Sequence, residues 1–182
     1  MPVDSGEIFI DGKNIKEIQK EIFSQISLLT ADIKTPSFLT VEETMEFSLK
    51  SYDRYSVKKY QEILQLFDLE KHQKKQIKPL SSGLERRVEL AQTLSNDSNI
   101  LILDEPCNAL DFNSVQDTMA AVQKKWKLGK TILYTTHQFH EIENLYTHIM
   151  VLKNRKVELL PKEEIGCSLA EYYKEVYEVI EQ

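Results

Sequence analysis

Four apolar residues, Ile100-Leu101-Ile102-Leu103, run directly into two adjacent carboxylates, Asp104 and Glu105, before Pro106. A short continuous apolar run of this kind reads as a strand inside a parallel sheet. Open α/β sheets bind ligands beyond the carboxyl ends of their strands, which is where both acids fall. Asp104 can there hold Mg2+, directly or through water, because Mg2+ takes one or two carboxylates together with phosphate oxygens. Glu105 can polarise a water for attack on a phosphoryl group. The same residues equally describe a strand followed by a polar turn, with Pro106 as its stop.

Three other segments place polar groups where chemistry is possible. Leu80-Ser81-Ser82-Gly83-Leu84-Glu85-Arg86-Arg87 puts two serines and a glycine at a helix start. Unpaired backbone N–H groups meet the positive end of the helix dipole there. Such a start can bind an anion, with Gly83 letting it approach the backbone. It also fits an ordinary cap, with Ser82 and Glu85 as a capping box. His137 ends the run Tyr134-Thr135-Thr136-His137. A neutral imidazole at a strand end can hydrogen-bond a terminal phosphate oxygen or orient a water, and a merely solvated histidine fits as well. Asn108-Ala109-Leu110-Asp111 follows the two carboxylates as a polar loop, with Asp111 as turn acceptor or helix cap.

The elements that must position these groups are legible in outline. Gly6-Glu7-Ile8-Phe9-Ile10-Asp11-Gly12-Lys13 carries the Asp-Gly signal of a hairpin, and residues 13–25 form a connector. Ile26–Leu29, Ile100–Leu103 and Lys130–Thr135 read as buried strands, the last reached after Gly129. Thr40-Val41-Glu42-Glu43 is a capping box opening a helix to about Tyr52. Helical spacing then runs from Val57 to Phe67, with Ile63, Leu64, Leu66 and Phe67 as its apolar face. Lys71 to Lys78 is charged and reads as an exposed linker. Helices are expected from Leu80 to about Ser95 and over Ser114–Lys127, with a helical turn at His140–Leu145. Ile149–Leu152 and Val157–Leu159 suggest a last hairpin. A second capping box, Ser168-Leu169-Ala170-Glu171, opens a tail with Leu169, Tyr172, Val176 and Val179 at helical spacing. Strands alternating with helices give an α/β domain, interrupted by a largely helical block at 37–98.

Composition narrows the field further. At 182 residues, 41% hydrophobic and 29% charged, the chain is one soluble globular domain. A net charge of −6 argues against a general nucleic-acid surface or an anionic-membrane binder. No apolar stretch approaches the roughly 18 residues that span a bilayer, and the opening Met1-Pro2-Val3-Asp4 lacks the features of a signal peptide. Cys107 and Cys167 cannot build a disulfide scaffold and fit a reducing cytoplasm. Glycine is scarce, with 5 residues where an average chain carries about 7%, roughly a dozen.

Taken in order, these segments closely resemble the ATPase domain of ATP-binding-cassette (ABC) transporters. Leu80–Leu84 resembles the signature Leu-Ser-Gly-Gly-Gln, and Ile100–Glu105 resembles Walker B followed by the catalytic glutamate. Ala109-Leu110-Asp111 is similar to the D-loop, His137 to the switch histidine, and 5–12 to the hairpin that follows the family's phosphate loop. The resemblance covers 4–160 and implies a P-loop NTPase-like, mostly parallel sheet with a helical subdomain at 37–98, followed by a helical tail at 161–182. It implies ATP and Mg2+ as cofactors, with Asp104 the metal group, Glu105 the general base and His137 the γ-phosphate sensor. Ser81, Ser82, Gly83 and Leu84 would meet nucleotide, and Asp111 would be the dimer-loop acid. It also implies a second ABC ATPase subunit, in a homo- or heterodimer, and a transmembrane transporter subunit that holds the chain at the inner, cytoplasmic face of the cell membrane.

The pattern departs from the family in three places. The phosphate loop has the form G-x-x-x-x-G-K-[ST], whose amides cradle phosphates and whose hydroxyl ligates Mg2+. None of Gly6, Gly12, Gly83, Gly129 and Gly166 is followed by Lys-Ser or Lys-Thr. The resemblance starts just downstream of where that loop belongs, so the expectation is a domain lacking its first strands and phosphate loop, inactive alone. Ala31 stands where the family has a glutamine that touches metal and water, with Asp32 beside it. In the signature, Ser82 replaces a glycine and Leu84 the glutamine. Two other expectations fit: a non-catalytic partner offering its signature to ATP on an intact subunit, or a gene fragment without function. A sheet missing strands also predicts an exposed edge and uncovered apolar surface.

Overall fold

A computed structural model describes residues 5–18, 22–51 and 55–177. The chain divides into two compact units, Met1–Thr135 and Thr136–Gln182.

The first unit is built on three parallel strands, β3 (Ile26–Leu29), β4 (Ile100–Asp104) and β5 (Thr131–Thr135), with β4 in the middle. Leu28, Ile102 and Leu133 stand in one row across the sheet. The two faces of the sheet are buried to different degrees. Leu101 and Leu103 are completely buried with Leu29 beside them, whereas Leu28 and Leu133 are 42% and 41% exposed. Continuous apolar runs thus show the alternating burial of strands with one deeply buried and one partly exposed face. Ahead of the sheet lie a hairpin, β1 (Phe9–Ile10) with β2 (Lys13–Asn14), and one helical turn, α1 (Ile22–Gln25), inside the expected connector. Asp11 and Gly12 at the hairpin tip both take positive φ, the backbone that a two-residue turn of this twist requires.

The helical block joins β3 to β4. α2 (Val41–Ser51) starts on the expected capping box: the Thr40 amide donates to the Glu43 carboxylate at 2.8 Å, and the Glu43 amide to the Thr40 hydroxyl at 3.2 Å. α3 (Val57–Leu66) buries Tyr60, Ile63, Leu64 and the following Phe67, while Leu66 turns outward at 42% exposure. Leu66 therefore leaves the expected apolar face and Tyr60 joins it.

The stretch Lys71–Lys78 departs most from expectation. After a 3-10 turn at Glu70–His72 it lies along the start of α2, where the Val41 and Glu42 amides donate to the Lys75 and Gln73 carbonyls. The Ile77 and Lys78 amides donate back to Leu39 and Ser37. The first N–H groups of a helix have no partner inside it, and this strand-like segment supplies two of the missing acceptors. Ile77 is 2% exposed and joins the core, while Lys71, Lys74, Lys75, Gln76 and Lys78 stay exposed.

α4 (Ser82–Ser95) packs on β3 and supplies Val88, Leu90, Ala91 and Leu94 to the same core as Leu101 and Leu103. α5 (Phe112–Lys127) returns the chain from β4 to β5 and adds Val122. In the second unit, β6 (His148–Lys153) and β7 (Lys156–Pro161) form an antiparallel hairpin around Asn154 and Arg155, both with positive φ. The expected turn at His140–Leu145 is a 3-10 turn at Phe139–Glu141 followed by irregular turns. α6 (Leu169–Tyr177) opens on the second capping box, with the Ser168 amide donating to Glu171 at 2.9 Å. Val179 lies outside the described residues.

Candidate functional site

Asp104 is the last residue of the central strand, so sheet pairing with β5 fixes where its carboxylate begins. The Thr135 hydroxyl donates to Asp104 Oδ1 at 2.5 Å and accepts from the Glu105 amide at 3.1 Å. Glu105 follows with φ of 45°. A non-glycine residue in the left-handed region is strained and persists only where its surroundings hold it. The holding groups are identifiable. The Glu105 amide also donates to the Thr135 carbonyl at 3.1 Å, and its own carbonyl accepts from the Asn108 amide at 3.2 Å.

The strongest grip comes from Arg86 on α4, whose side chain is 9% exposed. Arg86 Nη2 donates to the carbonyls of Asp104 at 2.9 Å and Glu105 at 2.6 Å, and Nε donates to Pro106 at 3.0 Å. Arg86 Nη1 donates to the buried Glu89 at 3.0 Å, and Lys34, on the loop after β3, donates to the other Glu89 oxygen at 3.2 Å. Thr35 on the same loop donates to Gln92 at 2.8 Å, so this loop is fastened to α4 at two points. Ala31 and Asp32 sit exposed just ahead of that fastening. Arg86 was not singled out by sequence reasoning. The available signal was an arginine three residues before a glutamate on a helix face that must also carry Val88 and Leu90 inward.

At the start of α4 the cap is Ser81, whose hydroxyl accepts from the Leu84 amide at 3.4 Å. Ser82 is the first helical residue, which corrects the expected Ser82–Glu85 capping box. Both serines are exposed, and Leu84 is half-buried against the apolar core. Gly83 carries a structural duty in addition to the expected one. A Cβ there would lie 2.9 Å from the Ala109 carbonyl oxygen, so its missing side chain is what lets the loop behind the carboxylates come close.

Asp111 ends that loop and caps α5. Its carboxylate accepts from the Ser114 amide at 2.9 Å and hydroxyl at 3.0 Å, and from Arg87 at 2.5 Å. The Ser114 amide and hydroxyl, with Arg87, hold its pKa down at about 2, so it is ionised at neutral pH. Arg87 also reaches Asp68 at 3.2 Å. Neighbouring arginines thus grip two different segments, Arg86 the carboxylate turn and Arg87 the start of α5.

The first unit therefore ties the helix that starts at Ser82 to the segment from Asp104 to Asp111, through Gly83 against Ala109, Arg86 on the carboxylate turn and Arg87 on Asp111. His137 is exposed and belongs to the second unit, beside Thr136, whose hydroxyl donates to Glu141 at 3.1 Å. Among the described residues no three His, Cys, Asp or Glu side chains converge on a metal position. The Asp104–Glu105 pair offers hard oxygen donors in the number that Mg2+ takes when phosphate and water complete its shell, so Mg2+ bound with a nucleotide fits and an all-protein cage does not. No phosphate loop lies within the 182 residues, so a phosphate cradle is not among the groups present.

The family model described as ABC transporter matches residues 1–108. An uncharacterised ABC transporter ATP-binding protein of Bacillus subtilis, YcbN, is 29% identical over 92% of this chain and 55% of its own length. The Nod factor export ATP-binding protein I of Cupriavidus metallidurans is 30% identical over 93% of the chain and 59% of its length. The aliphatic sulfonates import ATP-binding protein SsuB of Bacillus cereus is 32% identical over 81% and 57%. The chain thus spans little more than half the length of these curated relatives. A solved structure of the ATP binding subunit of an ABC transporter superposes with a TM-score of 0.85 at 22% identity, covering 95% of this chain and 77% of that one. The fold is accordingly that of a P-loop NTPase-like ABC ATPase.

Proposed function

The chain belongs to the ABC transporter family, and on that footing we propose that it carries the signature and carboxylate portion of an ATP-binding subunit whose hydrolysis of ATP drives transport. Residues 1–160 are the ATPase portion, 37–98 its helical part and 161–182 a tail. The observation that supports this most is the union, within one unit, of Asp104 and Glu105 at the end of the central parallel strand with the helix that starts at Ser81. Asp104 is the Mg2+ group and Glu105 the base that takes a proton from the attacking water. His137 senses the γ-phosphate. Ser81, Ser82, Gly83 and Leu84 face ATP held by a second ABC ATPase subunit, with Asp111 anchoring the loop between the two sites. A transmembrane subunit places the assembly at the inner face of the membrane.

The 182 residues carry no phosphate loop, and binding energy from amides that cradle phosphate is accordingly missing. Turnover by this polypeptide alone is therefore expected at background. Release of phosphate from MgATP is the measurement, and hydrolysis that Glu105→Gln abolishes would overturn the expected inactivity. The catalytic assignment is tested by placing a strand, a G-x-x-x-x-G-K-[ST] loop and a helix ahead of Ser5. Turnover should then appear and fall by about 10²-fold or more in Glu105→Gln. Turnover that survives the substitution removes Glu105 as the base.

A further inference from the structure

We propose that Arg86 is the positioning residue of the carboxylate turn, and that Glu89 and Lys34 extend its hold to the loop after β3. The inference rests on the reading of Glu105 as the base, and goes beyond it by naming what aims that carboxylate. Arg86 is a buried cation at 8% exposure, and its guanidinium spends its bonds in an unusual way. Three go to the consecutive carbonyls of Asp104, Glu105 and Pro106, and one to Glu89. Three carbonyls turned toward one point is the backbone shape that Glu105 takes at φ of 45°. Without a donor there, the turn would relax toward the ordinary right-handed conformations and swing the Glu105 side chain away.

The planar fork is essential to this arrangement. Guanidinium presents five N–H donors in fixed directions, whereas a lysine ammonium presents three from one atom and cannot serve three carbonyls and a carboxylate together. Glu89 is buried at 4% side-chain exposure and orients the fork from the opposite side. Its second oxygen is taken by Lys34, so the loop after β3 and the carboxylate turn share one carboxylate as their common anchor. A movement of that loop shifts Lys34 relative to Glu89, and through Glu89 the guanidinium. The helix that begins with the signature serines therefore carries, one turn later, the group that sets the base of its own chain.

Amide hydrogen exchange on the 182-residue chain, read beside urea unfolding, tests this without nucleotide. The reporters are the amides of Glu105, Asn108 and Leu110, which bond to Thr135, Glu105 and Cys107 within or beside the turn. Arg86→Gln should raise exchange at these three by about tenfold or more relative to amides of α2 and α3. Arg86→Lys separates positioning from simple charge pairing. Lysine keeps the pair with Glu89 and should recover most of the unfolding midpoint, yet leave the three amides exchanging as fast as in Arg86→Gln. Lysine that restores their protection, or a glutamine variant that never loses it, overturns the proposal. If Arg86→Gln does not fold, Lys34→Met provides the comparison, since its side chain is 57% exposed. It should leave the midpoint in place and raise exchange at the same three amides by about twofold or more. Unchanged exchange there overturns the relay. Because no nucleotide is present, failure here counts against positioning alone, whereas intact protection with no turnover in the loop-completed chain counts against the reading of Glu105.

Discussion

Two adjacent arginines show how differently one residue type is used when geometry decides. Arg86 and Arg87 are equivalent in the sequence, yet one is buried on three carbonyls and the other spans Asp68 and Asp111 near the surface. Asp104 and Glu105 were legible because their place follows from the strand before them. Arg86 was not, because its partners are backbone atoms, which leave no trace in side-chain spacing. Gly83 was legible as a special position, and the structure adds a packing reason, the close approach of the Ala109 carbonyl. Gly83→Ala puts a Cβ 2.9 Å from the Ala109 oxygen and should cost about 1–3 kcal/mol, read by urea unfolding. An unchanged midpoint would mean that the loop at Ala109 yields freely. Asp111 makes a prediction about pH. Its folded pKa of about 2 lies below its ordinary value of 3.8, so its contribution to stability is complete above 3.8 and is lost as pH falls toward 2. Asp111→Asn keeps an oxygen for Ser114 but removes that titration. The melting temperature of the variant should therefore fall less steeply than wild type between pH 4 and pH 2, and parallel curves would remove Asp111 from the acid response.

Elements were read well where a local rule fixes them and poorly where a neighbour does. The capping boxes at Thr40 and Ser168 are complete within four residues of sequence, and both form as expected. The cap of α4 was shifted by one residue because Ser81 and Ser82 carry the same hydroxyl, and only the backbone turn at Ser81 decides between them. Lys71–Lys78 was misread because its four lysines describe side chains in water, while its backbone and Ile77 do the structural part. An exposed linker would tolerate Ile77→Ala within about 0.5 kcal/mol. The buried position predicts a loss of about 2–4 kcal/mol instead, since a core methylene cluster is removed and a cavity left. Urea unfolding distinguishes the two directly. Lys74→Ala on the same segment should be close to neutral, because its ion pair with Glu42 is exposed.

At the scale of the molecule, the sheet is parallel as expected, but its apolar residues divide between a buried face and one on which Leu28 and Leu133 stay 42% and 41% exposed. The buried face was inferable from α4 and α5, whose apolar residues have to meet something. The open face was not, since a run such as Ile100–Leu103 has the same appearance whether one or both sides are packed. Leu28, Ile102 and Leu133 lie in register across all three strands, and β3 and β5 are the edges of the sheet among the described residues. A row of this kind, flanked by unpaired strand edges, favours association with other apolar surface over exposure to water. The hairpin of the second unit has the same property on its own account: Met150 pairs with Leu159 and Leu152 with Val157, and all four are more than half exposed. The isolated chain should accordingly self-associate as its concentration rises through the micromolar range. Sedimentation velocity measures this, and the weight-average mass should climb with concentration above the 21.2 kDa of one chain. Leu28→Lys with Leu133→Lys places two like charges on the open face without touching the buried one, and should return the chain toward monomer while the unfolding midpoint stays near wild type. A wild-type chain that sediments as one monodisperse monomer at every concentration would show that the partly exposed row is tolerated in water.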